Sequence, residues 1–373
     1  MHNTIIGWDV GGAHLKAAAM HQGRLVQVLQ VPCALWRGLD ALETAIDEVL
    51  QAFTTQPAVH AITMSGELVD LFANREAGVK AISQLMQTKL NGVKRFYAGA
   101  LADDFSAFVA LDAVDQHWQH IASANWLASA CFVAQQLATF EHIAYGLLID
   151  IGSTTADFVA ISNNEPRCLG FTDAARMQTE ELVYTGVIRT PLMALAQKIS
   201  FEQRTTALAA EHFATTADVY RLLDELSLAD DMADTADGQD KSALASARRL
   251  ARMVGHDVAD APMSSWLALA QAFKLVQLER LKNVAMVHIE RITVHQPMPA
   301  AGQDLLIIGA GAGSFLAKAI AQQLQLQYVD IAQLIHSDSN ATTSHDAHNI
   351  SRWGSVCLPA YAVAHLALTQ EFD

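Results

Sequence analysis

An apolar run that ends in Asp-x-Gly and then resumes occurs twice in this chain. Ile5 to Asp9 is followed by Gly11 and Gly12, a run from Leu15 to Met20, a turn at Gln22-Gly23 and a third run from Leu25 to Val31. Leu147 to Asp150 is followed by Gly152, a run from Ala156 to Ile161, the pair Asn163-Asn164 and a short run from Arg167 to Phe171. Each reads as strand, tight turn, strand, turn, strand. The offset of 141 residues that lays Asp9 on Asp150 also lays Gly11 on Gly152 and Met20 on Ile161. A supersecondary unit recurring at domain-sized spacing predicts two duplicated domains, each opening with a three-stranded antiparallel meander.

The chain is long enough for this. At 373 residues it exceeds what one small core serves, and 51% hydrophobic against 17% charged residues is a globular composition. A net charge of -15 argues against nucleic-acid and anionic-membrane partners, which need excess Lys and Arg. Cys33, Cys131, Cys168 and Cys357 are far apart and form no C-x-x-C, so they read as reduced core thiols. The start, MHNTIIGWDVGG, carries no basic segment leading into an apolar one, which favours a cytoplasmic protein. The most apolar stretch, Ile121 to Phe140, is interrupted by Ser, Asn and two Gln and reads as a buried helix rather than a membrane span.

Helix and strand alternate after each meander. Gly38 to Phe53 has one-face helical spacing, Val59 to Met64 reads as a strand, and a Gly66-Glu67 turn precedes a helix and a strand near Phe96. In the second half Gln178 to Thr185, Pro191 to Lys198, Ser242 to Val254 and Ser264 to Ile292 read as helices. Asp304 to Ile308 reads as a strand, Gly309 to Gly313 as a loop, and Ser314 to Leu324 and Pro359 to Thr369 as helices. The acidic stretch Asp224 to Asp240 reads as an exposed loop or, alternatively, a cation site.

Glycine in an Asp-x-Gly turn lets backbone N–H groups share one concavity, and the hydroxyls of Ser153, Thr154 and Thr155 add donors around an anion. A strand-end carboxylate is suited to Mg²⁺ rather than to phosphate itself, which makes Asp9 and Asp150 candidate metal ligands. The late run Leu305 to Ala317 places a strand before Gly309-x-Gly311-x-Gly313 and a helix start, an arrangement that can lay backbone against ribose, base or phosphate. His14 and Lys16 alternate onto one face of the second strand, where Lys16 can act as a point charge beside a phosphate turn. Glu67 stands in a loop at a strand end, where sheets place reactive groups. Asn125 and Trp126 are candidate ring contacts. Tyr184, Thr185, Arg189 and Thr190 surround a glycine, and Arg189 can pair with a carboxylate or a diphosphate.

In this order the two hairpins and the late glycine loop resemble the phosphate and adenosine motifs of the actin, sugar-kinase and Hsp70 superfamily. That resemblance implies an α/β, actin-like fold of two duplicated ribonuclease H-like domains around a central cleft. The first would span 1–145, with 355–373 able to pack back on it; the second 146–354, with a helical insertion at about 178–300. The strings WDVGGAHLKAA, SGELVD, ASANWLA, LLIDIGSTTADFVAI, ELVYTGVIRTPL, FATTADVYRLL, DTADG, RRLARMVG and CLPAYAVAHL are similar to those of hydantoinase A-related proteins of tetrahydromethanopterin-linked one-carbon metabolism.

The resemblance implies a transferase of furan-cofactor (methanofuran or methylofuran) biosynthesis. It would join an (aminomethyl)furanylmethyl diphosphate to the phenol of a glutamyl-tyramine or tyrosine-type acceptor, releasing diphosphate. The implied partners are therefore small molecules, with Mg²⁺ held by Asp9 and Asp150. Gly11, Gly12, His14, Gly152, Ser153, Thr154, Thr155, Arg189, Gly309, Gly311 and Gly313 would line the diphosphate or a nucleotide, and Lys16 and Glu67 would be catalytic. ATP or ADP would be bound under the two competing readings, an ATP-dependent kinase or ATPase and a non-catalytic nucleotide-binding regulator.

Overall fold

A computed structural model describes residues 4–53, 57–101, 104–140, 143, 145–294, 305–338, 347–368, 370 and 372. Asp304, Thr369 and the end of the expected insertion, 295–300, lie outside the described residues. In chain order the elements begin with β1 Thr4–Val10, β2 His14–His21, β3 Arg24–Pro32, α1 Leu39–Ala52, β4 Val59–Met64, α2 Arg75–Lys89, β5 Val93–Leu101 and β6 Asp104–Val109. Next are α3 Leu111–Ile121, α4 Asn125–Leu137, β7 Tyr145–Ile151, β8 Ala156–Ser162, β9 Glu165–Arg167, α5 Asp173–Gln178, β10 Leu182–Val183 and α6 Leu192–Leu195. The chain continues with β11 Lys198–Phe201, β12 Arg204–Ala207, α7 Thr216–Leu222, α8 Ala243–Met253 and α9 Met263–Val294. It ends with β13 Leu305–Ala310, α10 Ser314–Leu324, β14 Gln327–Asp330, α11 Ala347–Val356 and α12 Leu358–Ala367.

The repeat is physical. The 141-residue offset carries β1 onto β7 end for end and starts β9 where it places Glu165 opposite Arg24 of β3. Both first turns close with the same backbone bond, Gly11 N–H to the His14 carbonyl at 3.0 Å and Gly152 N–H to the Thr155 carbonyl at 2.9 Å. One sheet runs β3-β2-β1-β4-β5-β6, with β1, β4 and β5 parallel; the other runs β10-β8-β7-β13-β14, with β9 on β8.

Two compact units emerge, 1–146 with 159–179 and 330–373, and 147–158 with 180–329. Residues 159–179 and 330–354 thus group with the first unit, a difference from division at 145/146. In that unit β1 is buried on both faces. Ile6, Trp8 and Val10 face α1 and α2 through Leu42, Ile46, Val79 and Ile82, while Gly7 lies against α12, where a Cβ would sit 1.9 Å from the Ala360 carbonyl oxygen. Glycine is what lets the last helix lie on the strand. The second unit's core joins Ile149, Phe158, Tyr220, Leu250, Trp266, Phe273 and Ile320.

Several expectations change. Gln178 to Thr185 is not a helix: Thr172 caps α5 earlier, accepting from Ala175 N–H at 3.2 Å, Glu180 takes φ 62°, and β10 follows. Pro191 to Lys198 is one helical turn leading into the β11–β12 hairpin. The expected helix Ile121 to Phe140 breaks at 122–124. Acidic residues 224–240 are not a solvated run: Asp231 is buried in a bidentate pair with Arg221, both contacts 2.7 Å, and Asp237 accepts from buried Arg249 at 2.9 Å. Cys33, Cys131 and Cys357 are buried free thiols, whereas Cys168 is half-buried.

Candidate active site

In the second unit the Asp150–Thr155 turn is clamped from two sides. Backbone N–H groups of Val187, Ile188 and Arg189 donate to the carbonyls of Gly152 and Ser153 at 3.1, 3.1 and 2.8 Å, and Gly313 N–H donates to the Ile151 carbonyl at 2.8 Å. Those carbonyls, the groups that would repel an anion, are taken up by the clamps. The turn is left to offer the hydroxyls of Ser153, Thr154 and Thr155. The clamps need glycine. A Cβ on Gly186 would lie 2.4 Å from the Ser153 carbonyl carbon, and one on Gly311, at φ 78°, would lie 2.5 Å from the Asp150 carboxylate. Gly309 packs on Tyr328 and Gly313 on Ile151. The late glycines therefore hold their loop against the Asp150 strand end.

A buried amide supports this loop set. Gln277, on α9, donates to Thr185 Oγ1 at 2.8 Å and to the Gly186 carbonyl at 2.9 Å, and accepts from the Tyr220 hydroxyl at 2.5 Å. Thr216 donates to the Gly186 carbonyl at 2.9 Å, and Gly186 N–H donates to Thr190 Oγ1 at 2.8 Å. Arg189 extends from this loop with an exposed side chain.

In the first unit, the C-terminal ends of β1 and β4 carry a second constellation. Asp9, 4% exposed, pairs in register with Thr63 of β4 and accepts from Asn125 Nδ2 at 3.4 Å. Glu67, 1% exposed, accepts from the Ser123 hydroxyl at 2.6 Å, and its other oxygen, Oε2, is buried without a hydrogen-bond partner. Burial raises the Glu67 carboxyl above its ordinary value, opposed in part by the Ser123 hydroxyl. Lys16 Nζ donates to the Val356 carbonyl at 3.1 Å, the C-terminal end of α11, where a cation is favoured. His14 closes the turn through its backbone carbonyl, and Gly12 packs on Val69. Asn125 therefore holds a carboxylate, and Trp126 lies buried under the Arg176 guanidinium, 3.7 Å from its ring centre, rather than open to a ligand ring.

Among the described residues no three His, Cys, Asp or Glu side chains converge as a metal cage. One strand-end carboxylate beside hydroxyls instead suits Mg²⁺, which keeps several waters and takes other ligands from phosphate oxygens. A cavity of about 1010 Å³ with Lys80, Lys94, Asp112 and Asp115 on its walls opens at the N-terminal end of β5, opposite to the strand ends that carry Asp9 and Glu67. It holds no motif residue. Sequence reading missed Gln277 and Ser123; Gln277 is one of three amides on a long helix, with Gln271 and Asn283, and only its burial in the fold sets it apart.

The hydantoinase/oxoprolinase family model matches residues 58–341. The chain belongs to the hydantoinase/oxoprolinase family. A relative within reach of this family member is the (4-{4-[2-(gamma-L-glutamylamino)ethyl]phenoxymethyl}furan-2-yl)methanamine synthase of Methanocaldococcus jannaschii, 30% identical over 258 residues, 69% of this chain and 73% of that one. The synthase of the same description from Methanococcus vannielii is 35% identical over 112 residues, 30% of this chain and 50% of its own. Among solved structures, nucleotide-free acetone carboxylase matches with a TM-score of 0.52 at 9% identity, covering 98% of this chain and 70% of that one. The fold of this hydantoinase/oxoprolinase member is thus the actin-like α/β fold that the superfamily resemblance implied. Among the described residues no helix is long and apolar enough to cross a membrane.

Proposed function

We propose that this chain is a furan-cofactor biosynthetic enzyme. It would condense an (aminomethyl)furanylmethyl diphosphate with the phenol of a glutamyl-tyramine or tyrosine-type acceptor. The observation that carries the reading is the Asp150–Thr155 turn, whose Ile151, Gly152 and Ser153 carbonyls are occupied by two glycine-dependent clamps, beside the hydroxyls of Ser153, Thr154 and Thr155 at a strand end that carries a carboxylate. The substrate comes from similarity: the name of the Methanocaldococcus relative describes a phenoxymethyl ether on a furan.

In the step, the bond from the furanylmethyl carbon to the diphosphate oxygen breaks and a bond from that carbon to the phenol oxygen forms. The diphosphate leaves with the electron pair, and the phenol proton passes to a base, the role assigned to Glu67. Mg²⁺ at Asp150, with Asp9 the corresponding carboxylate of the first unit, would neutralise charge building on the diphosphate. Hydroxyls of Ser153, Thr154 and Thr155 donate to its oxygens, and the clamps keep them pointed there without reorganisation.

Mass spectrometry of the product from the furanylmethyl diphosphate and a set of candidate phenols tests this. The expected product is the ether, at the summed mass of the two substrates less diphosphoric acid. A phosphorylated acceptor formed at the expense of ATP would replace this reading with that of a kinase.

A further inference from the structure

Ser123 sits where α3 ends and α4 begins, with φ 50°, a left-handed backbone that serine seldom adopts. Its hydroxyl does not cap α4, whose N-cap position is Ala124 without a side-chain bond. It is spent on Glu67, at the short distance of a hydroxyl bonded to a carboxyl. Two residues on, Asn125 donates to Asp9. One three-residue turn therefore reaches both carboxyl groups at the strand ends of the first unit.

Glu67 itself has little freedom. A Cβ on Gly78 of α2 would lie 2.7 Å from the Glu67 carbonyl oxygen and 2.9 Å from its Cβ, so α2 is pressed on this residue's backbone. On its other side Gly66 lies against Val10 and Gly11, beside the first Asp-x-Gly turn. Buried carboxyl oxygens are seldom left without a partner, yet Oε2 has none. Arg75 of α2 and Asp173 of α5 are the charged groups that act on it, and they pair with each other at 2.5 Å.

We propose that Ser123 is a positioning residue for Glu67: its hydroxyl, presented by a left-handed turn, fixes one carboxyl oxygen and favours the ionised form, leaving Oε2 to accept a proton. That this proton is the phenol's rests on the function proposed above; the control of ionisation does not.

Infrared titration of the protonated-carboxyl band, assigned to Glu67 by its loss in Glu67→Gln, measures the ionisation without any substrate. Ser123→Gly keeps the left-handed backbone and removes the donor, and Ser123→Cys keeps the shape with a weaker donor. In Ser123→Gly the midpoint should rise by about one pH unit, a tenfold change in the equilibrium, with a smaller rise in Ser123→Cys. The acid limb of kcat should move with it while KM stays within about twofold. Midpoints unchanged in both variants would overturn the proposal whatever the activity. A moved midpoint in a protein that shows no phenol-dependent turnover upholds the positioning of Glu67 and counts instead against the substrate reading.

Discussion

At the scale of single residues, buried titratable groups write a pH dependence into the first unit. Glu67 is raised by burial, so the folded protein holds this proton at pH values where the unfolded chain has lost it. Its contribution to stability therefore falls as pH rises above the ordinary glutamate value of about 4.3. Glu67→Gln removes that loss, and should melt above the wild type at pH 8, by about 2–4 °C per kcal/mol recovered, with the difference closing toward pH 4. His60 acts in the opposite direction. Trp8 Nε1 donates to its Nδ1 at 3.0 Å, so the neutral ring carries its proton on Nε2 and donates to the Asn91 carbonyl at 2.9 Å. Burial lowers His60, and likewise His365, from 6.5 to about 4. Between those values the unfolded chain takes up protons that the folded one refuses. Stability should therefore decline as pH falls from 6.5 toward 4, by up to about 3 kcal/mol for each histidine, read as a falling urea midpoint.

At the scale of elements, the loops around Asp150 depend on close backbone approach. Gly186→Ala would drive a methyl into the Ser153–Thr154 peptide, whereas Gly152→Ala meets nothing nearer than the Thr155 carbonyl oxygen at 3.7 Å. Calorimetry should show Mg-diphosphate binding lost or weakened at least tenfold in the first, with a lowered melting temperature, while the second stays folded. Gln277→Leu would leave the Tyr220 hydroxyl without its acceptor, Thr185 Oγ1 without this donor, and the Gly186 carbonyl with Thr216 and Thr190 alone. The expected cost is about 2–3 kcal/mol by urea denaturation. Element boundaries were legible where the apolar pattern was regular: the runs of β1, β2, β7 and β8, and α8 within the helix expected over Ser242 to Val254. They were illegible where long-range contacts decide. Nothing local distinguishes acidic residues 224–240 from a solvated run until Arg221 and Arg249 arrive from α7 and α8. The break at 122–124 falls inside the stretch read as one buried helix, and the Glu67 carboxyl that Ser123 meets there lies 56 residues away in sequence.

At the scale of the whole molecule, the duplicated Asp-x-Gly hairpin was the feature that could be read most directly. It specifies the same first-strand position, the same turn bond and the same strand-end carboxylate in both halves. The halves then diverge in what they place around it. The second builds a clamped, hydroxyl-bearing turn, and the first surrounds its turn with a buried carboxyl and the segment that holds it. The most direct measurement is diphosphate release by the purified protein with Mg²⁺ and an (aminomethyl)furanylmethyl diphosphate, with and without a tyramine-type phenol. Release that requires the phenol and matches the ether formed mole for mole is the predicted result; release indifferent to the phenol, or none while ATP is consumed, would contradict it.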